Sequence, residues 1–92
     1  MVRVKEIELI GLKGDEPCND AIRDVRLISR KFAIPINIRE RTPADNLDAD
    51  SFPKTCLIGE NSEIECFYGW SETYYRDIVD KIERGINDLN EF

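Results

Sequence analysis

Apolar and polar positions follow two rhythms along this chain, and the switches between them mark out its elements. Residues 2–12 carry Val4, Ile7, Leu9 and Ile10 in a β-branched-rich stretch ending at Gly11 and Gly14, which predicts a largely buried strand over about 4–11. From Pro17 onward Ala21, Ile22, Val25, Ile28 and Phe32 recur at helical spacing, with Arg23, Asp24, Arg26 and Arg30 on the opposite side. Asp15 suits the N-cap of this helix, Glu16 the positive end of its dipole, and Pro17 is tolerated in the first turn. Pro35 stops it. Residues 34–40 then alternate apolar and polar, as a strand with one covered face does.

Residues 42–51 are polar and hold only Ala44, Leu47 and Ala49 for burial, so at most one helical turn fits there. After Phe52-Pro53, residues 54–58 and 63–68 read as a hairpin with a loop of three to five residues. Ser71 is a good N-cap, and Tyr75, Ile78, Val79, Ile82 and Ile86 trace the buried face of a last helix that Gly85 is placed to end. The order is β-α-β-β-β-α, an α/β arrangement whose first strand, helix and strand form a right-handed parallel unit.

Length and charge narrow the functions open to such a chain. Ninety-two residues support one core, so residues 1–92 are expected to form a single domain. Thirteen basic against nineteen acidic residues give a net charge of -6, which repels phosphate backbones and anionic lipid heads; no nucleic-acid and no membrane partner is expected. Residues 1–6 interleave charges with apolar side chains, unlike a signal peptide or a spanning run, which points to the cytoplasm. The sequence has no histidine, which removes Ser-His-Asp and Cys-His catalysis and the commonest zinc partner. Three cysteines, Cys18, Cys56 and Cys66, are an odd number at wide spacings, so no disulfide framework is implied.

Three stretches resemble the thioredoxin and glutaredoxin superfamily, most closely the glutaredoxin pattern, and together they span most of the chain. Residues 14–21, Gly-Asp-Glu-Pro-Cys-Asn-Asp-Ala, follow a strand and open a helix where glutaredoxins place Gly-Cys-x-x-Cys. Phe52-Pro53 precedes an apolar strand where the family has a cis-proline facing the thiols. Residues 68–72, Tyr-Gly-Trp-Ser-Glu, join the last strand to the last helix, much as glutaredoxins do where they hold the glutathione α-carboxylate. The resemblance implies a thioredoxin-like fold with a mixed four-stranded sheet and a cis Pro53. It also implies protein thiols or disulfides as partners, with glutathione the one cofactor it allows. Two departures accompany it. Asp15 stands in the ungapped match where the nucleophilic cysteine is expected, leaving Cys18 at the resolving position, and residues 42–51 are too short for the family's second helix. That helix is therefore shortened or absent, and the sheet face it would cover is open to a partner or to a second copy in a homodimer.

Opposing effects act on the Cys18 thiol. The helix N-terminus favours thiolate by about 0.3 to 1 kcal/mol. Asp15, on the same face about 5 to 6 Å away, opposes it by up to roughly 3 kcal/mol at an effective dielectric near 20, and Glu16 and Asp20 push the same way. No strongly activated thiolate is expected, although Lys13 and Lys54 would soften the field if they fold over the site. The alternative is that Asp15 caps, Pro17 starts the helix and Cys18 packs as a small apolar residue.

Cys56 and Cys66 lie on adjacent hairpin strands and would face one another across a three-residue loop, but burial as two free thiols is the preferred reading. The acidic groups Asp45, Asp48 and Asp50, and Glu60, Glu63 and Glu65, lack a calcium-loop pattern. They read as a solvated loop and as exposed hairpin charges that discourage edge pairing, so no metal site is expected. Tyr68, Trp70, Tyr74 and Tyr75 surround the last strand-to-helix junction and read mainly as core and rim packing. In the functional alternative Trp70 forms one wall of a groove beside Cys18 and Pro53, and the Ser71 and Glu72 N–H groups meet a ligand carboxylate.

Two functions follow. In the first, the protein is a glutaredoxin-like oxidoreductase with weakened or single-thiol exchange, in which Cys18 and Asp15 form the reactive centre. Lys13, Phe52, Pro53, Gly69, Trp70 and Ser71 then form the substrate groove, and the backbone before Pro53 aligns a partner strand. In the second, the chain keeps that fold but is a non-enzymatic protein-interaction module.

Overall fold

The computed structural model describes residues 2–86, and both helices lie on the same side of a mixed four-stranded sheet. The strands are β1 (Val4–Gly11), β2 (Ile36–Glu40), β3 (Lys54–Gly59) and β4 (Ile64–Tyr68), and the helices are α1 (Glu16–Phe32) and α2 (Tyr74–Arg84). The sheet order is β2-β1-β3-β4, with β1 parallel to β2 and antiparallel to β3, and β3 antiparallel to β4. An isolated antiparallel bridge between Val2 and Ile86 closes the other side of the domain. No helix among the described residues is long and apolar enough to cross a membrane.

The period of two in the strands divides the sheet into unlike faces. Ile7, Leu9 and Leu57 point towards the helices, where Ala21, Val25 and Ile28 of α1 and Tyr74 and Ile78 of α2 complete the main core. The buried Thr55 hydroxyl and the Tyr74 hydroxyl hydrogen-bond to each other across this layer, which satisfies both groups away from water. The opposite face carries Glu6, Glu8, Arg39, Lys54, Cys56, Ile58, Ile64, Cys66 and Tyr68. Exposure is high at its edge: Ile64 is 65% and Tyr68 59% accessible.

The connection from β2 to β3 covers part of that second face. Instead of at most one turn it contains two, the 3-10 helices Pro43–Asp45 and Ala49–Ser51. Asp45 is no free loop charge. It pairs with the Arg39 guanidinium through two hydrogen bonds of 3.1 and 2.7 Å and accepts the Thr42 N–H at 2.6 Å, and these contacts hold its carboxyl well below the usual carboxylate range. Leu47 and Phe52 pack over Ile10. The crossing segment thus lies over β2 and β1 and leaves the β3–β4 half bare.

The hairpin departs from expectation in two places. Its loop is residues 60–62, closed by the Gly59 N–H donating to the Glu63 carbonyl at 2.7 Å, with Ser62 in the left-handed region at φ 69, the three-residue hairpin geometry. This register sets Cys56 directly opposite Cys66, and the two form a disulfide rather than a pair of free thiols. Glu63 is buried, not an exposed hairpin charge. Its carboxylate accepts the Asn61 N–H at 2.9 Å inside the loop, while Glu65 pairs with Lys81 of α2 at 2.9 Å.

The last helix begins later than Ser71 predicts. The Thr73 hydroxyl donates to the Asp77 carboxylate at 2.9 Å and accepts from the Ser71 hydroxyl at 3.1 Å. Residues 71–73 form a turn in which the Tyr74 N–H donates to the Ser71 carbonyl at 3.0 Å, Thr73 takes the N-cap position and Tyr74 opens the helix. Gly85 ends it at φ 83, a backbone conformation that disfavours a side chain.

Candidate functional site

Cys18 occupies the first turn of α1, where Asp15 prepares its surroundings. Asp15 has the extended backbone of an N-cap, and its carboxylate accepts the Cys18 N–H at 3.1 Å. The side chain of Cys18 turns inward against the end of β1. Gly11 makes this approach feasible, since a Cβ at that position would stand 3.3 Å from the Cys18 Cβ. Substitution Asp15→Ala removes the cap and should lower stability by about 1 kcal/mol, measured by urea unfolding against wild type; an unchanged midpoint would show that the cap carries no weight.

The thiol is enclosed and stays protonated. Cys18 is 1% accessible and packs with Ile10 and Phe52, with Leu12 and Leu47 at the margin. Burial, the largest influence, pushes its pKa up to about 11. The Leu12 N–H, donating to the sulfur at 3.3 Å, pulls the other way, and the Asp15 carboxylate adds to the rise. The opposition expected from the Asp15 carboxylate is present but secondary; the dominant contribution is removal from water. Reactive thiols sit in exposed, electropositive surroundings, and this one has neither property.

Phe52-Pro53 lies beside Cys18, at the head of β3, and the peptide between them is cis. Phe52 is buried against Cys18 and Ile10, with the Arg41 guanidinium 5.5 Å from its ring centroid. Its N–H, the group that would align an incoming strand, instead donates to the Ala49 carbonyl at 3.2 Å. The Pro53 carbonyl accepts the Gly69 N–H at 2.8 Å.

The remaining candidate residues do not converge on the thiol. Lys13 is exposed beside a cleft of about 300 Å³ between the start of α1 and β2, lined also by Asn19, Ile22 and Ile38. Gly69, Trp70 and Ser71 line another, of about 180 Å³, with Phe67, Tyr74 and Asp77. Neither Cys18 nor Pro53 lines either cleft. Trp70 is turned towards α1, where its indole Nε1–H donates to the buried Asp24 carboxylate at 3.0 Å, so its polar edge ties the last loop to the first helix. Helical spacing puts Asp24 on the polar side of α1, but the side chain is buried; the Trp70 indole that satisfies it there comes from a distant loop and had no signal in the sequence.

These residues do not fit glutathione in the manner the resemblance implies. The sulfur that would join it is enclosed, the Phe52 N–H is taken, and α2 does not begin at Ser71. Among the described residues no group of three or more histidine, cysteine or acidic side chains is arranged to hold a metal ion. No family model matches this chain, and neither a curated protein nor a solved structure matches it.

Proposed function

We propose that the chain is a non-enzymatic protein-interaction module on a thioredoxin-like fold, docking its partner through the bare β3–β4 half of the sheet. The observation that carries this reading is the Cys18 thiol, buried and protonated at the helix start where exchange chemistry would need an accessible thiolate. The strand order β2-β1-β3-β4, the parallel β1–β2 pair and the position of Phe52-Pro53 against the first turn of α1 support the thioredoxin-like part. The working setting is the reducing cytoplasm.

The docking face is apolar at its centre, with Ile58, Ile64 and Tyr68, and acidic on its β1 side, with Glu6 and Glu8, while Lys54 lies over the Tyr68 ring at its far end. In a chain of net charge -6, this complements a partner that presents an apolar patch with a basic rim.

Two measurements test the reading. The purified protein should accelerate reduction of a disulfide substrate no more than its Cys18→Ser variant does; acceleration that depends on Cys18 would return the protein to the oxidoreductases. Proteins retained by the immobilised domain should be released by salt, retained by Cys18→Ser and lost on Ile64→Asp. Retention that survives Ile64→Asp would move docking elsewhere, and sedimentation showing a concentration-dependent dimer would make the second copy the occupant.

A further inference from the structure

We propose that Cys56 and Cys66 form a reversible redox site on the open sheet face, a disulfide that thiols reduce to a dithiol while the fold stays intact. The pair belongs to neither core cluster, because both side chains point away from the helices. Cys56 is buried, but Cys66 is half-buried and its neighbours on that face, Ile64 and Tyr68, are largely exposed, so the bridge is within reach of a reagent in solvent from the Cys66 side.

The hydrogen-bond pattern explains why opening the bridge is tolerated. In an antiparallel pair, directly opposed residues alternate between positions that exchange backbone hydrogen bonds and positions that do not. The Gly59 N–H donates to the Glu63 carbonyl and the Gly69 N–H to the Pro53 carbonyl, which puts Gly59–Glu63 and Pro53–Gly69 in the bonded class. Counting inward from either end, Cys56–Cys66 falls in the non-bonded class, with a Cα–Cα separation of 4.1 Å. Ladder bonds on both sides keep the strands paired without the disulfide. On the other face Thr55 and Leu57 remain in the helix-packed layer.

The exchange balances as follows. A thiolate of the reductant attacks Sγ of Cys66, the more accessible sulfur; a bond forms between those two sulfurs, the Cys56–Cys66 bond breaks, and Cys56 leaves as a thiolate that takes up a proton. A second reductant thiolate attacks the reductant sulfur of this mixed disulfide and releases Cys66, which is protonated in turn. The pair gains two electrons and two protons, and two reductant thiols become one disulfide. Either a monothiol or a dithiol supplies this chemistry. Glutathione and dithiothreitol are the probes that tell them apart, because only the monothiol lets a mixed disulfide at Cys66 accumulate.

The test uses the full chain in native buffer, equilibrated over a range of reduced-to-oxidised glutathione ratios and, separately, with dithiothreitol. Samples are quenched with N-ethylmaleimide and read by mass spectrometry and far-UV circular dichroism. The number of labels on Cys56 and Cys66 should pass from none to two along one curve approached from either direction, with Cys18 unlabelled and the spectrum unchanged. A pair that stays bridged until denaturant is added, or reduction that opens Cys18 to the label, would overturn the proposal. The Cys56→Ser, Cys66→Ser double variant should keep the native spectrum, and its failure to fold would also overturn it. No docking partner enters these measurements, so their outcome is separate from that of the interaction reading.

Discussion

In the folded protein near neutral pH, iodoacetamide should alkylate Cys18 at least about 100-fold more slowly than an unstructured peptide thiol. The pKa of about 11 against an ordinary 9.0 lowers the thiolate fraction by that factor, and enclosure by Ile10 and Phe52 slows reagent access further. Labelling at the peptide rate would mean that the first turn of α1 opens readily and would remove the case against exchange chemistry. The same displacement ties stability to pH. Because the folded pKa lies above the unfolded one, the contribution is fully present below pH 9 and is lost as pH rises towards 11, a change of about 3 kcal/mol over the window. Wild type should lose stability more steeply across it than Cys18→Ala, by denaturant unfolding at a series of pH values. The Tyr74 hydroxyl, also raised mainly by burial, titrates in the same direction in both proteins, and because the Cys18 charge is the smallest contribution to its rise, most of its effect drops out of the comparison.

Leu57→Ala and Ile64→Ser should differ widely, although both change an aliphatic residue of one hairpin. Leu57 projects from β3, fully buried, into the layer between sheet and helices, and truncation leaves a cavity that costs about 2 to 5 kcal/mol. Ile64 projects into solvent from the edge strand, and its replacement should stay within about 0.5 kcal/mol of wild type. Thermal unfolding of the two variants reads the difference. Similar losses would mean that the β3–β4 face is covered in the folded protein and is not available for docking.

The fold was legible in the sequence where one period dominated. Val25 and Ile28 at helical spacing, the alternation over residues 34–40, and the punctuation by Pro35 and Gly85 are local signals, and the elements lie where those signals put them. The start of the last helix was less legible. Ser71 and Thr73 both have the chemistry of an N-cap, and propensity does not resolve a choice between two good candidates two residues apart. Asp45 and Glu63 carry the local signals of solvated carboxylates, acidic residues within polar stretches. Their partners, Arg39 on a strand and the Asn61 N–H in a loop, become neighbours only when the crossing segment and the hairpin take shape.

At the candidate site, the placement of Phe52-Pro53 next to Cys18 was only what the resemblance implied, whereas that of Cys18 at the α1 start could be read from the helix-start signals of Asp15 and Pro17. The depth of the thiol could not, since it depends on Gly11, whose missing side chain lets the helix approach the strand. The Cys56–Cys66 pairing turned on loop length. Residues 59–63 are compatible with loops of three to five residues, and only the three-residue loop closed by Gly59 and Glu63 brings the two sulfurs face to face.

The division of the sheet also separates what the chain must conserve from what it is free to vary. Positions 55 and 57 are committed to the interior, while 54, 58, 64 and 68 alternate with them on the same two strands and touch no core cluster. Descendants of this sequence could therefore exchange one recognition surface for another by substitutions at every second residue of a single hairpin, with the scaffold beneath left as it is.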